Sequence, residues 1–376
     1  LKHKFDFVTY SLKKIRDRDL YRKLQDTRVQ GPYIQFGKKK LINLCSNDYL
    51  GLSTEQFPKK QFQSSSRLVA GNDLSFRILE EKLACHKSQE AALIFPTGYM
   101  ANLGAIATLV HKGDLILSDE LNHTSIIEAC RISGAKISIY KHNNVKDLET
   151  KLKQKAKRRF IVTEGIFSMD GDFAKLPEIA TIAERKYAIL VLDDAHGDFV
   201  AGRDGKGSAE HFGVANRIDV YVSSLSKGLG AFGGYVASKK EVIDLLINVS
   251  RPFIYTSALP NLVVEIALQK FVTKREKQRK KLWENIKLLH DGLKSLGYQF
   301  NSTSQIIPLI IGNEKKALDF GKYLFEKKIF AQPIRYPTVP LGLARIRISV
   351  TAWLLKEHIY SSLDIFESAG KKFGIL

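Results

Sequence analysis

The stretch Ser223–Gly234, SSLSKGLGAFGG, admits three readings, and the choice among them decides the fold. Ser224-Leu225-Ser226-Lys227 matches the S-x-x-K of serine acylases. Gly228, Gly230 and Gly233 have the spacing of a dinucleotide fingerprint. Lys227 also follows an apolar run and sits among small residues, where its amine can hold an aldehyde cofactor as a Schiff base. The fingerprint needs its glycines to open a helix whose N-terminus faces a pyrophosphate. Here GGYVASKK follows, which is β-branched, aromatic and strand-like. The acylase reading needs partner motifs S-D-N and K-T-G, and the chain contains neither.

Working outward, the pattern from about residue 73 to 240 alternates helix and strand. SFRILEEKLACHKS places Phe76, Leu79, Leu83 and Ala84 on one helical face. AALIF, DLILS, KISIY, RRFIVTEG, AILVLDDAHG, DVYVSS and GGYVAS read as short buried strands. TGYMANLGAIATLV, HTSIIEACRISG, VKDLETKLKQK and LPEIATIAERK read as the helices between them. Short apolar strands with intervening helices imply a mainly parallel sheet covered on both faces. After Pro260 one long amphipathic stretch is expected to about Leu296. IIPLIIG, a helix from Lys315 to about Lys328, RIRISVTA and a final helix then imply a smaller α+β domain. The expected organisation is an N-terminal segment over 1–45 (a helix and a hairpin), a large domain over 46–258 and a small domain over 259–376.

Composition bounds the class. The chain has 376 residues and is 44% hydrophobic, enough for a sizeable core. No apolar run reaches membrane-spanning length, so no membrane partner is expected. The N-terminal residues alternate charge with apolar side chains and have no signal-peptide core. Cys45, Cys85 and Cys130 are far apart and form no metal-ligand cluster, so no metal is expected and reduced thiols in a cytoplasm are. The net charge of +20 suits a polyanionic partner: nucleic acid, a membrane surface or a phosphorylated small molecule. The basic run Lys274–Lys281 lies on an expected helix, where a solvated outer face explains it. No zinc-finger, RNP or helix-turn-helix pattern accompanies it, so no nucleic-acid partner is expected.

In open α/β sheets ligands bind beyond the carboxyl ends of the strands. Those positions here are Thr97-Gly98-Tyr99, Asn122-His123, Glu164–Gly171, Asp193–Gly197 and Ser223–Lys227. Most carry ionisable groups, which packing alone does not require. Pyridoxal phosphate needs a lysine amine, an acid for its pyridine nitrogen, donors for its phosphate and a flat group against its ring. Lys227 supplies the amine. Asp193 is a carboxylate at a strand exit, suited to the ring N–H⁺ or, alternatively, to capping a loop. His196 can donate to the ring hydroxyl. Gly98 and Tyr99 open a helix, where backbone N–H groups favour phosphate, and Ser224 and Ser226 add hydroxyls. His123 can lie flat on the ring or be a packed, hydrogen-bonded histidine.

These residues resemble the α-oxoamine synthases, a branch of the fold-type I pyridoxal-phosphate enzymes. The resemblance is carried by SNDYLGLS (46–53), SRLVAGN (66–72), TGYMAN (97–102), LNHTSIIE (121–128), TEGIFSMDGD (163–172), DDAHG (193–197), LSKGLG (225–230) and ARIRISVTA (344–352). It implies that Lys227 carries the cofactor and Asp193 pairs with its pyridinium. It further implies that His196 and Ser168 contact the ring region, His123 stacks, and Gly98, Tyr99 and Ser224 serve the phosphate. Arg347 matches the arginine that holds the amino-acid carboxylate, a task its bidentate fork suits. Thr338 matches a substrate contact. Asn47, within SNDYLGLS, is assigned to substrate, and Arg22 is a candidate for the far carboxylate of an acyl chain. Within the branch, IRYPTVPLG (334–342) and RRFIVTEGIFSMDGD are similar to the biotin-synthesis members. Those condense L-alanine with pimeloyl-CoA or a pimeloyl carrier protein. The sibling activities, such as glycine C-acetyltransferase, use other amino acid and thioester pairs. Family members are homodimers with shared active sites, and Thr256 or Ser257 is the candidate for reaching a partner's phosphate. Two departures stand out. The segment between LGLS and SSSRL is short and lacks a glycine-rich run, which affects the substrate entrance. Tyr336 stands where the biotin enzymes commonly carry proline.

Overall fold

The computed structural model describes residues 13, 16–19, 28–46, 48–52 and 65–376. Arg22, Asn47, most of the expected N-terminal helix and the short segment 53–64 lie outside the described residues. The chain forms two compact units.

The unit comprising Asn47–Ser168 and Asp172–Lys280 is built on a seven-stranded sheet. Its strands are β1 (Ala91–Phe95), β2 (Leu115–Asp119), β3 (Lys136–Tyr140), β4 (Arg159–Glu164), β5 (Ala188–Asp193), β6 (Val220–Ser224) and β7 (Gly234–Ser238), and their spatial order is β1-β7-β6-β5-β4-β2-β3. β3, β2, β4, β5 and β6 run parallel, and β7 is antiparallel to both β6 and β1. The mainly parallel fold-type I sheet expected from the alternation is present. β5 shows why the reading works. AILVLD is almost wholly buried, because a central parallel strand is covered on both faces and so reads as an unbroken apolar run.

The longer helices are α1 (Leu74–Lys87), α2 (Gly98–Leu109), α3 (Thr124–Ile132), α4 (Val145–Lys151), α5 (Leu176–Arg185), α6 (Lys240–Val249) and α7 (Asn261–Val272). Phe76, Leu79, Leu83 and Ala84 of α1 are buried, as its period requires. On one face of the sheet, Ala101, Ala105 and Ile106 of α2 and Ile126 and Ala129 of α3 pack with Phe95, Ile116, Val162, Val191 and Val222. Each of the larger side chains among these, Phe, Val or Ile, stabilises by about 1.5–3 kcal/mol on burial. α2 starts where Thr97 Oγ1 accepts the Met100 N–H at 3.1 Å. β7 passes so close to that start that a Cβ on Gly234 would lie 2.4 Å from the Gly98 nitrogen. Only glycine permits that approach.

The expected single stretch from Pro260 to Leu296 is two helices, Asn261–Val272 and Glu276–Ser295. Arg275 explains the break. Its Nη1 donates to the carbonyls of Lys270 and Phe271 at 2.6 and 2.7 Å and of Thr273 at 3.2 Å, satisfying carbonyls that a continuing helix would have used. The expected boundary after residue 258 also differs from the compact unit, which runs on to Lys280. Lys270 of α7 is buried and donates to the Gly230 carbonyl at 2.6 Å and to the Leu52 carbonyl, which ties α7 to this unit.

The second unit gathers Leu1–Ser46, Met169–Gly171 and Lys281–Leu376. Among its described residues are a three-stranded antiparallel sheet, in order Ile306–Gly312, Ala344–Ser349, Gln332–Ile334, and the helices Glu314–Glu326 and Lys356–Lys372. The expected hairpin is present as Arg28–Gln30, Tyr33–Phe36 and Lys39–Asn43, joined in parallel by Ile329–Phe330.

A charged latch orders the loops beyond β2 and β4. His142 Nδ1 meets Asp119 Oδ1 and its Nε2 meets Asp172 Oδ2, each at 2.9 Å. Asn143 Nδ2 donates to the same Asp172 oxygen at 2.7 Å. Burial opposes the charge on His142, but the hydrogen bonds and charges of Asp119 and Asp172 outweigh it and raise its pKa from 6.5 to about 10. Folded His142 therefore keeps a proton that the unfolded chain loses. Its stabilisation is complete below pH 6.5 and disappears as pH rises through about 10. His142→Gln is expected to lower the melting temperature most at pH 6, with the gap to the parent closing towards pH 10. A gap that stays constant across that range would contradict the latch.

Candidate active site

The parallel strands β2, β4, β5 and β6 end on one side of the sheet, and antiparallel β1, which enters through Pro96 into α2, contributes the start of that helix. Lys227 lies three residues past β6, with its Nζ 3.0 Å from His196 Nε2. His196 lies three residues past β5, and its Nδ1 is 2.7 Å from Tyr49 Oη. A lysine ammonium only donates, so Nε2 accepts and Nδ1 carries the proton towards Tyr49. Asp193 ends β5 and is 8% exposed. Its Oδ1 accepts the Ala195 N–H at 2.9 Å and its Oδ2 accepts from Asn102 Nδ2 at 2.6 Å. Those bonds satisfy a carboxylate that would be costly to bury bare.

His123 is the N-cap of α3 and is open to solvent. The protein around its ring lowers its pKa below the usual range. Asp193 opposes that shift, and the charge of Lys227 adds to it. The ring of Tyr99 stands edge-on to it, with centroids 6.4 Å apart at 78°. Ser224 Oγ pairs with Ser226 Oγ at 2.8 Å, and a Cβ on Gly98 would lie 3.1 Å from the Ser224 Cβ. The first N–H groups of α2 thus open beside two hydroxyls, a site suited to a phosphate. Ser168 is buried, and its N–H donates to Glu164 Oε2 at 3.2 Å.

Of the expected residues, Lys227, Asp193, His196, His123, Gly98, Tyr99, Ser168 and Ser224 all lie in this unit, at its strand ends or the start of α2. Arg347 and Thr338 belong to the other unit. Arg347 is buried on Ala344–Ser349, and its Nη1 donates to Ser349 Oγ at 2.8 Å. Thr338 is exposed, and its N–H donates to the Arg335 carbonyl.

Several participants were not singled out from sequence. Tyr49 and Ser125 lie inside quoted motifs without an assigned part. Asn102 closes the quoted TGYMAN motif, also without an assigned part, and is a buried amide four residues after Gly98 on a largely apolar helix. Behind the site, Lys87 Nζ reaches Asp194 Oδ2 at 2.9 Å and Asp198 Oδ1 at 2.8 Å, and His86 Nε2 reaches Asp198 Oδ1 at 2.8 Å. Asp198 also accepts from Ser223 Oγ at 2.8 Å and from Tyr235 Oη. This buried network pins the turn that carries His196.

The residues present fit pyridoxal phosphate. An amine, a fixed carboxylate, two imidazoles and a helix start with hydroxyls meet its separate demands. Two buried polar atoms at the site, Asn102 Oδ1 and Glu164 Oε1, have no partner in the protein. Among the described residues, no cluster of metal-binding side chains occurs.

Residues 39–360 match the aminotransferase class I and II family, and the chain belongs to that family of pyridoxal-phosphate enzymes. At the sequence level, a curated relative from Thermoanaerobacter pseudethanolicus, an 8-amino-7-oxononanoate synthase, is 43% identical over the whole of this chain and 99% of its own. One from Thermosipho melanesiensis with the same name is 40% identical over 99% of this chain and all of its own. Among solved structures, a serine palmitoyltransferase from Sphingomonas wittichii superposes with a TM-score of 0.92 at 30% identity, covering 100% of this chain and 99% of that one. These are α-oxoamine synthases, as the motifs imply.

Glu164 supplies a test of the site's electrostatics. Burial, then the neighbouring charge of Asp193, raises its pKa well above 4.5, against a smaller pull from Lys227. The folded acid therefore keeps its proton where the unfolded one loses it, so the contribution of Glu164 to stability falls as pH rises above about 4.5. Glu164→Gln removes that liability. In urea titrations its stability relative to wild type is expected to climb between pH 4.5 and 7. A difference independent of pH would mean that Glu164 is not held protonated.

Proposed function

We propose that this chain condenses L-alanine with a pimeloyl thioester, pimeloyl-CoA or pimeloyl carrier protein, to give 8-amino-7-oxononanoate, the free thiol and CO2, with pyridoxal phosphate as cofactor. The observation that supports it most is full-length identity of 43% to an 8-amino-7-oxononanoate synthase, joined to the Lys227–His196–Asp193 arrangement. In this reading Lys227 is the covalent anchor of the cofactor. Asp193 faces its pyridine nitrogen, His196 and Ser168 its ring hydroxyl side, His123 its ring face, and Gly98, Tyr99 and Ser224 its phosphate. Bound there, the group supplies an electron sink for negative charge on carbon.

The chain's own residues do the rest. Lys227 Nζ, released when the substrate amine takes its place, removes the alanine α-proton as general base. Asp193, held in place by two donors, stabilises positive charge on the pyridine nitrogen. The alanine Cα forms a bond to the thioester carbonyl, the thiolate departs, and the bond from Cα to the carboxyl carbon then breaks to release CO2. Lys227 returns the proton to carbon. Arg347 and Thr338 are assigned to substrate by the family resemblance, with Arg347 taking the alanine carboxylate. The working form is a homodimer in the cytoplasm with active sites shared between copies. The positive charge of the chain suits a CoA phosphate or an acidic carrier protein. Among the described residues no helix is long and apolar enough to cross a membrane.

The test is a matrix of amino acids against acyl-CoA chain lengths, following thiol release and product mass. Alanine with pimeloyl-CoA is expected to be the productive pair. Turnover only with glycine and acetyl-CoA would instead assign a glycine C-acetyltransferase. Lys227→Ala is expected to lower turnover by at least about 10²–10⁴-fold without changing the melting temperature of the cofactor-free protein by more than a few degrees.

A further inference from the structure

The geometry points to Asn102 and Ser125 as positioning residues: a hydrogen-bond relay from Asp193 through both of them sets which nitrogen of His123 carries the proton. The inference rests on the proposed cofactor reading only for its purpose. The relay itself is a property of the chain.

The chain of donors runs in one direction. An ionised carboxylate can only accept, so the amide nitrogen of Asn102, and not its oxygen, faces Asp193 Oδ2 at 2.6 Å. The same Nδ2 has a second hydrogen, which goes to Ser125 Oγ at 2.9 Å. A hydroxyl that receives a hydrogen there must send its own elsewhere. The acceptor within reach is His123 Nδ1 at 2.8 Å. The Ser125 backbone N–H points at that nitrogen as well, at 3.2 Å. Two donors on Nδ1 leave no room for a proton on it, so the ring proton sits on Nε2. Asn102 and Ser125 are 2% and 1% exposed, so water does not offer either of these two side chains an alternative partner.

The groups facing His123 give this arrangement its use. Lys227 and Asp193 act on its ring from β6 and β5. The Glu164 carboxyl at the end of β4 accepts the His123 backbone N–H, and Tyr99 of α2 stands edge-on. A His123 free to take up a second proton would put a cation beside Lys227 and compete with it for Asp193. A bare Nδ1 held by two donors makes that second proton costly. The same carboxylate that serves the pyridine nitrogen therefore also fixes the ring proposed to lie against the cofactor.

The experiment is NMR of the full chain labelled with ¹⁵N-histidine, with and without pyridoxal phosphate, identifying the His123 signals by their loss in His123→Gln. At pH 7 wild type is expected to show a neutral ring protonated at Nε2. Ser125→Ala removes one donor to Nδ1 and is expected to raise the His123 titration midpoint by about half to one pH unit. Ser125→Thr, which keeps the hydroxyl, should return it. Asn102→Ala should raise it in the same direction, while the His142 signals stay in place as a check on the fold. A wild-type ring protonated at Nδ1, or a midpoint unmoved in both Ser125→Ala and Asn102→Ala, would overturn the relay. None of these readouts depends on turnover, so a failure of the proposed reaction leaves them intact and distinguishable.

Discussion

A carboxylate held at the end of a fully covered strand organises this site. Asp193 is carried to its place by β5, the strand between β4 and β6, and burial there is tolerable only because every oxygen has a donor. The donors come from α2 and from the turn after β5 itself. The position of α2 depends in turn on β7 passing close beside Gly98. The acid thus links the strand order, the helix that offers N–H groups to a phosphate, and the loop carrying His196. Lys227 arrives from the neighbouring strand, close enough to His196 to share a hydrogen bond. Parallel strands all end on the same side, so residues far apart in sequence meet there without any long loop.

Polar chemistry is layered behind that surface. Directly around Asp193 the contacts are neutral donors, Asn102 and a backbone N–H. Behind the turn lies a compensated set, Lys87 with Asp194 and Asp198, from which water is excluded. Removing one partner of such a set costs more than the set contributes in net stability. Its value is in fixing the turn between Asp193 and Val200, since a Cβ on Gly197 would already come within 2.3 Å of Asp194 Oδ1. Rigid support of this kind keeps an amine, an acid and an imidazole in register for proton transfer.

Much of this was legible in the sequence because strands covered on both faces must be apolar throughout. AILVLD and DVYVSS declare both the strand and, by where the polar residues begin, its functional end. Asp193, His196 and Lys227 were found that way. Asn102 and Ser125 were not, because a single amide or hydroxyl on a helix does not reveal which neighbour it meets; only the packing of α2 on α3 brings them together. The break between Val272 and Glu276 was hidden for a similar reason. No glycine or proline marks it, and the carbonyls are satisfied by the Arg275 side chain folding back. Lys270 reads as one more surface charge on an amphipathic helix, yet it is buried and holds the carbonyl of Gly230 in the loop after Lys227. Charged residues that cap carbonyls inside a protein carry no periodic signature.

The proposed chemistry depends on one lysine. Incubating the protein with pyridoxal phosphate, reducing with borohydride and mapping the modified peptide by mass spectrometry examines that point directly. A single pyridoxyl label is expected on the peptide containing Lys227, lost in Lys227→Ala. Stoichiometric label on any other lysine, or none at all, would contradict it.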